Sequence, residues 1–274
     1  MTSPALLLEA VTDVARIAGE VALRYFKSSL AVEAKGDGSP VTIADKTAEQ
    51  AARDWITDRF PRDAVLGEEF GFSGDATTRR WFIDPIDGTK TFVRGVPLWG
   101  TMIAVADGDT VLAGSIFCPA VGELVAAAIG EGCWYNGGRC HVSSIDRLAD
   151  ATILVTDSRF PYNPERAPRW RALAADVAVS RTWGDCYGYV QVATGRAELM
   201  LDDRLSPWDA ASLIPIITEA GGVYTDWRGG SAVDGGDGVA SNAVLARAFR
   251  EALGVPEDPS TLRPDAGVNE STHA

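Results

Sequence analysis

The chain has 274 residues, 38 of them acidic and 25 basic, for a formal charge of −13. That carboxylate excess disfavours nucleic acid or an anionic membrane as a partner, while the length suffices for one large core or two closely packed halves. Only two histidines are present, His141 and His273, and the second lies in a polar tail, so a Ser-His-Asp or phosphohistidine mechanism has at most one candidate base; the cysteines, Cys118, Cys133, Cys140 and Cys186, form no CxxC pair, which favours free thiols in a reducing, cytoplasmic compartment.

Residues 5–28 carry apolar positions at helical spacing (Leu7, Val11, Val14, Ala15, Ala18, Val21, Ala22, Tyr25), the pattern of an amphipathic helix. Asp13, Arg16, Glu20 and Arg24 interrupt it, so it reads as neither a secretory signal nor a membrane anchor. A loop with Gly36, Gly38 and Pro40 leads into a second predicted helix over 43–60. Strands are expected at 64–67, 81–84, 99–107 and 110–117, the last two joined through Asp107-Gly108-Asp109, a hairpin signal. A further hairpin over 121–128 and 131–135 precedes a loop at 143–150. That loop divides an amino-terminal half, 1–145, from a carboxy-terminal half, 146–254, which opens with a strand at 152–156 and alternates helices and strands. Pro207-Trp208-Asp209 opens an apolar helical segment that stops at Gly221-Gly222, and the polar tail 255–274 is expected to be disordered. Mixed strands and helices of this kind indicate an α/β or α+β chain. No GxxxxGK[ST] or helix-opening GxGxxG sequence is present to anchor nucleotide chemistry.

The most informative stretch is Trp81-Phe82-Ile83-Asp84-Pro85-Ile86-Asp87-Gly88-Thr89. Two acids three residues apart at a strand end make a poor core and a good cation site. Pro85 is expected to turn the chain so that both carboxylates point to one side. Gly88 permits close approach of a ligand, and Thr89 reads as a helix N-cap whose following amides face an anion. A lone DxxD is most often a solvated turn, but two more segments deliver acids from the ends of apolar runs, Gly67-Glu68-Glu69 and Trp208-Asp209. Hard cations such as Mg²⁺ take oxygen ligands of this kind and keep water, leaving room for a phosphate. Bound cations would also invert the local field, which otherwise repels a phosphate dianion.

The chain resembles the inositol monophosphatase family of Mg²⁺-dependent, lithium-sensitive phosphatases, related to fructose-1,6-bisphosphatase. The resemblance rests on GEE at 67–69, DPIDGT at 84–89, WDAASLIPIITEAGG at 208–222 and SPVTIAD at 39–45 followed by Glu49. It implies a layered αβαβα sandwich, two or three Mg²⁺ ions per site, a small phosphate monoester as substrate and a homodimeric assembly. It also implies that Glu68, Asp84 and the Ile86 carbonyl bind a first metal, and that Asp84, Asp87 and Asp209 bind a second. Glu68 and Thr89 would activate the attacking water, the amides of Gly88 and Thr89 would receive the phosphate, and Asp45 would assist a third metal or serve only as a helix N-terminal acid.

One segment bears on substrate choice. Arg181-Thr182-Trp183-Gly184-Asp185-Cys186-Tyr187-Gly188-Tyr189 aligns with the family region that contacts the non-phosphate part of the substrate, and GDCYGY together with FVRGVPLWGT at 92–101 resembles the histidinol-phosphatase branch. An acid at Asp185 suits a cationic amino alcohol better than a neutral polyol; its alternative roles are a helix cap or a partner for Arg181. Asp202 stands where the family commonly has Glu, one methylene longer. Cys186 reads as a small packing residue, and Trp183, Tyr187 and Tyr189 either flank an imidazole or pack. Three functions follow: a histidinol-phosphate phosphatase of histidine biosynthesis, a broader inositol or sugar-phosphate phosphatase, and a catalytically silent binding protein.

Overall fold

The computed structural model describes residues 2–28, 31–34, 36 and 40–256. The predicted disordered tail lies outside them except for Val255 and Pro256, as do His273, Gly38 and Ser39.

In chain order the elements are α1 (Pro4–Leu23), β1 (Glu33–Ala34), β2 (Pro40–Val41), α2 (Ile43–Arg59), β3 (Ala64–Gly67), β4 (Gly71–Ser73), β5 (Arg80–Asp87), α3 (Thr89–Phe92), β6 (Gly100–Asp107), β7 (Thr110–Cys118), β8 (Glu123–Ala128), β9 (Gly132–Tyr135) and β10 (Gly138–Arg139). After a loop come β11 (Thr152–Val155), α4 (Ala167–Ala175), β12 (Val179–Arg181), α5 (Cys186–Ala193), β13 (Leu199–Asp202), α6 (Pro207–Glu219), β14 (Val223–Thr225), β15 (Gly238–Ser241) and α7 (Ala246–Leu253). An eight-stranded sheet runs β10-β9-β8-β7-β6-β5-β3-β4, antiparallel except for the β3–β5 pair, and a five-stranded mixed sheet runs β12-β11-β13-β15-β14. Strands β1 and β2 form a separate ladder.

Side-chain alternation along the strands fixes the layers. On β6, Ile103 and Val105 join the buried face of α1 and α2, whereas Met102 faces the other way into a core shared with Tyr189 and Val190 of α5 and Leu213 and Ile216 of α6. That second core also takes Leu154, Met200 and Ala240 from the smaller sheet. The opposite face of that sheet, through Ile153, Leu199 and Val239, packs on Trp170 of α4 and Phe249 of α7. Helices, sheet, helices, sheet and helices thus stack as an αβαβα sandwich, with both sheets buried on both sides. Between α1 and the large sheet the approach is close: a Cβ on Gly19 would stand 2.6 Å from the Phe117 ring.

Three local expectations need correction. The first helix ends at Leu23, and 24–28 continue as turns. Strand β5 does not stop at Asp84 for a turn at Pro85; it runs on to Asp87, and a register shift between Asp84 and Asp87 absorbs the proline, which has no N–H to give the ladder. Short strand β4 was not anticipated, since Gly71-Phe72-Ser73 has no alternation long enough to register. No helix among the described residues is long and apolar enough to cross a membrane.

Candidate active site

The bulge in β5 does the work assigned to a proline turn. In a regular strand residues three apart point to opposite faces; one extra residue brings Asp84 and Asp87 to the same side. Asp209 arrives from the third position of α6, and one oxygen from each of Asp84, Asp87 and Asp209 lies within 4.8 Å of the others.

Each carboxylate is held by a backbone amide. The Ile86 N–H donates to Asp84 Oδ1 at 2.9 Å, the Cys186 N–H donates to Asp87 Oδ2, and the Ser206 N–H donates to Asp209 Oδ2 at 2.7 Å, closing a capping box with the Ser206 side chain. Burial, and then the neighbouring charges of Glu68, Asp209 and Asp87, push the Asp84 carboxyl well above the ordinary range; burial and the charges of Asp185 and Asp209 do the same to Asp87. Asp209 is pushed up to about 7, mainly by burial. Three carboxylates crowded this way repel one another until a cation intervenes, and an all-oxygen donor set fits a hard divalent ion.

Glu68 follows β3 and lines the same cavity. Its loop is fastened from below by Glu49 of α2, whose carboxylate accepts from the Glu69 N–H at 2.6 Å and the Phe70 N–H at 3.2 Å while pairing with Arg53 at 2.7 Å. Gly67 is needed here, because a Cβ would fall 2.1 Å from Glu49 Oε1. Asp45 is buried at the start of α2, where its Oδ2 accepts from both the N–H and the hydroxyl of Thr42 at 2.7 Å; its Oδ1 has no hydrogen-bond partner among the described residues. The capping role is therefore met by one oxygen, and the other is left for a further ligand.

At the turn after β5 the cap of α3 is Gly88, in the left-handed region at φ 84°, and Thr89 is the first helical residue, not the N-cap. The Thr89 hydroxyl donates to the Ile86 carbonyl at 3.0 Å, which still leaves that carbonyl a second lone pair.

The opposite wall comes from the carboxy-terminal elements. Asp185, Cys186 and Asp202 face the cavity of about 480 Å³ that also contains Glu68, Asp87 and Asp209. Gly184 packs on Thr156, with no room for a Cβ, and lines an adjoining recess of about 430 Å³. Burial raises the Asp185 carboxyl and pushes Asp202 up to about 8. Asp202 Oδ2 has no hydrogen-bond partner among the described residues, so an acid one methylene shorter still reaches the cavity wall. Neither alternative role of Asp185 holds: it makes no side-chain cap bond to α5, and Arg181 points elsewhere, donating to the Ser180 carbonyl and lining a separate surface concavity with Arg171 and Trp170. Arg181 is accordingly not part of this site. Cys186 is buried, its thiol pushed upward by burial and by the adjacent Cys118, which suits packing and not nucleophilic attack.

Of the aromatic trio only Tyr189 lines the cavity; Tyr187 hydrogen-bonds Glu123 at 3.4 Å, and Trp183 is exposed outside the cavity walls. His141 is exposed and absent from those walls. Lys90, Tyr162, Arg204 and Trp208, which the sequence analysis does not assign to the site, also line the cavity. Tyr162 lies against the Arg204 guanidinium at 5.0 Å, and buried Asp203 anchors its loop by accepting from the N–H groups of Tyr162 and Asn163. Only Trp208, inside the 208–222 motif, and Lys90, directly after the 84–89 motif, offer a signal.

The inositol monophosphatase family model matches residues 4–254. A histidinol-phosphatase of Chlorobaculum parvum is 41% identical over 249 residues, covering 90% of this chain and 96% of that protein. An inositol-1-monophosphatase of Mesorhizobium japonicum is 32% identical, covering 91% and 97%. Among solved structures, the extragenic suppressor protein suhB of Bartonella henselae superposes with a TM-score of 0.84 at 30% identity, over 89% of this chain and 97% of its own. The fold, the converging carboxylates and these similarities agree: the chain belongs to the inositol monophosphatase family and is a phosphatase.

Proposed function

We propose that this phosphatase hydrolyses histidinol phosphate to histidinol and inorganic phosphate, with Mg²⁺ as its cation, in histidine biosynthesis. The observation that carries the reading is one cavity lined by acids from both sides, Glu68, Asp87 and Asp209 with buried Asp84 within 4.8 Å of the last two, and Asp185 and Asp202. The first wall suits metal and phosphate; the second suits a cation attached to the phosphate. Histidinol carries an amine and an imidazole, and a partly desolvated carboxylate attracts either in its protonated form more strongly than it attracts a neutral polyol.

In this reading Glu68, Asp84, Asp87, Asp209 and the Ile86 carbonyl hold two ions, and the Asp45 oxygen that has no hydrogen-bond partner among the described residues offers a ligand to a third. Bound Mg²⁺ supplies Lewis acidity, lowering the pKa of water and neutralising phosphate charge. Glu68 and the Thr89 hydroxyl, itself fixed on the Ile86 carbonyl, orient the attacking water. The amides of Gly88 and Thr89 receive the phosphate oxygens, with Lys90 on the cavity wall nearby. Asp185 and Asp202 hold the leaving alcohol in line, so displacement needs no covalent phosphoenzyme. The closed constellation of acids argues against a catalytically silent binding protein. A homodimer in the cytoplasm completes the proposal; free cysteines among the described residues suit a reducing compartment, and the dimer rests on family membership alone.

The 32% identity to an inositol-1-monophosphatase keeps a polyol phosphate as the second reading. Steady-state phosphate release from histidinol phosphate and from inositol 1-phosphate, each with Mg²⁺, separates them. The proposal expects the higher kcat/KM for histidinol phosphate; a clear preference for inositol 1-phosphate would replace it with the second.

A further inference from the structure

We propose that Thr91 is a positioning residue that sets the preference between phosphate esters by fixing the carboxylate of Asp185; this rests on the reading of Asp185 as the partner of a cationic leaving group. Asp185 needs holding. Its backbone sits at φ 53° and ψ −159°, a combination that only glycine adopts without strain, so neighbouring contacts must over-determine it. Two segments supply what holds it. The Asp185 N–H donates to Thr156 Oγ1 at 2.9 Å, at the end of β11. The Thr91 hydroxyl, in α3, donates to Asp185 Oδ2 at 3.1 Å. Gly88 leaves the space that this carboxylate occupies, since a Cβ there would stand 2.9 Å from the same Oδ2.

Thr91 and Gly88 belong to the turn that follows Asp87, whereas Asp185 belongs to the facing wall. The hydroxyl contact therefore ties the phosphate end of the cavity to the leaving-group end. A second tie joins the same two walls from the other side, the Cys186 N–H donating to Asp87. The separation between the phosphate site and the anionic partner of the leaving group is then set by the fold and not by a freely turning side chain. For a substrate with its positive charge a fixed number of bonds from phosphorus, that separation selects. A neutral polyol gains nothing from it.

Thr91→Val keeps the shape of the side chain and removes the donor. A hydrogen bond to a charged group accounts for an increase of about tenfold in KM for histidinol phosphate, with kcat and both constants for inositol 1-phosphate within about twofold of the parent enzyme. Thr91→Ser restores the donor and the original KM. Asp185→Asn is measured alongside and loses the same selectivity directly. If Asp185→Asn is selective and Thr91→Val leaves the ratio of the two substrates unchanged, or lowers both equally, the positioning role is overturned while the substrate reading stands. If Asp185→Asn itself leaves the ratio unchanged, the substrate reading falls. Should Thr91→Val fail to fold, Thr156→Val, which removes the acceptor from the Asp185 N–H, is read by the same ratio, with the same loss of selectivity expected and an unchanged ratio overturning the proposal.

Discussion

The two walls of the cavity are built differently. On the metal side, Asp84, Asp87 and Asp209 are each fastened by one main-chain amide in a bulge or a helix cap, and Glu49 ties down the loop bearing Glu68. In the proposed reading this wall meets the phosphate and the metal, and not the alcohol. On the facing side, which the proposal gives to the leaving group, Asp185 sits in a strained conformation, Asp202 keeps an oxygen without a hydrogen-bond partner among the described residues, and Tyr162 reaches in from a loop that Asp203 fastens. The contrast is one of means: main-chain amides hold the first set of acids, whereas a side-chain hydroxyl, a strained backbone and loops position the second.

Substitutions should separate the walls by what they change. The largest effect belongs to Asp87→Asn, which removes a ligand while keeping the acceptor for the Cys186 N–H; turnover of every phosphate ester should fall by about a thousandfold, with far-ultraviolet circular dichroism unchanged. Near-normal turnover would take Asp87 out of the metal site. Next, Glu49→Gln loosens the loop carrying Glu68 without touching the cavity, and should weaken Mn²⁺ binding by about tenfold in a titration followed by electron paramagnetic resonance. Equal affinity for parent and variant would make Glu49 merely structural.

A smaller effect lies in the metal-free protein. The Asp209 and Asp202 carboxyls have folded values of about 7 and about 8, above the 3.8 of an ordinary aspartate. Through these two groups the folded state binds more protons than the unfolded chain between those limits, so their contribution makes stability fall as pH rises from about 4 to about 8, and the raised Asp84 and Asp87 act in the same direction. Chelator-treated protein should melt several degrees lower at pH 8 than at pH 5.5, and saturating Mg²⁺ should narrow the gap, since it compensates the ionised acids. A melting temperature that rises over this range would contradict the crowding of unpaired carboxylates.

Legibility followed the same division. Asp84, Asp87, Glu68 and Asp209 were readable because motif spacing ties each acid to the end of an apolar element, and the layered fold followed from the family those motifs indicate. Their geometry was harder: Pro85 looked like a turn, whereas the strand continues and a bulge rotates the second acid. Glycine displaced Thr89 from the cap of α3 because the backbone there needs φ 84°. On the other wall Asp185 and Asp202 line the cavity, as the motif position implies, whereas Arg181 lies outside it, since a side chain at the end of β12 can lean to either side of the sheet edge. Tyr162 and Arg204 were not found at all. They come from loops whose positions depend on long-range contacts, among them the anchoring of 162–163 by Asp203, and carry no periodicity.

The most direct test is a single vessel containing equal amounts of histidinol phosphate and inositol 1-phosphate, followed by ³¹P nuclear magnetic resonance, first with Mg²⁺ and then after excess chelator. Histidinol phosphate should be consumed first and all hydrolysis should stop when the metal is removed. Prior consumption of inositol 1-phosphate, or phosphate release that continues in the chelator, would contradict a magnesium-loaded site matched to a cationic alcohol.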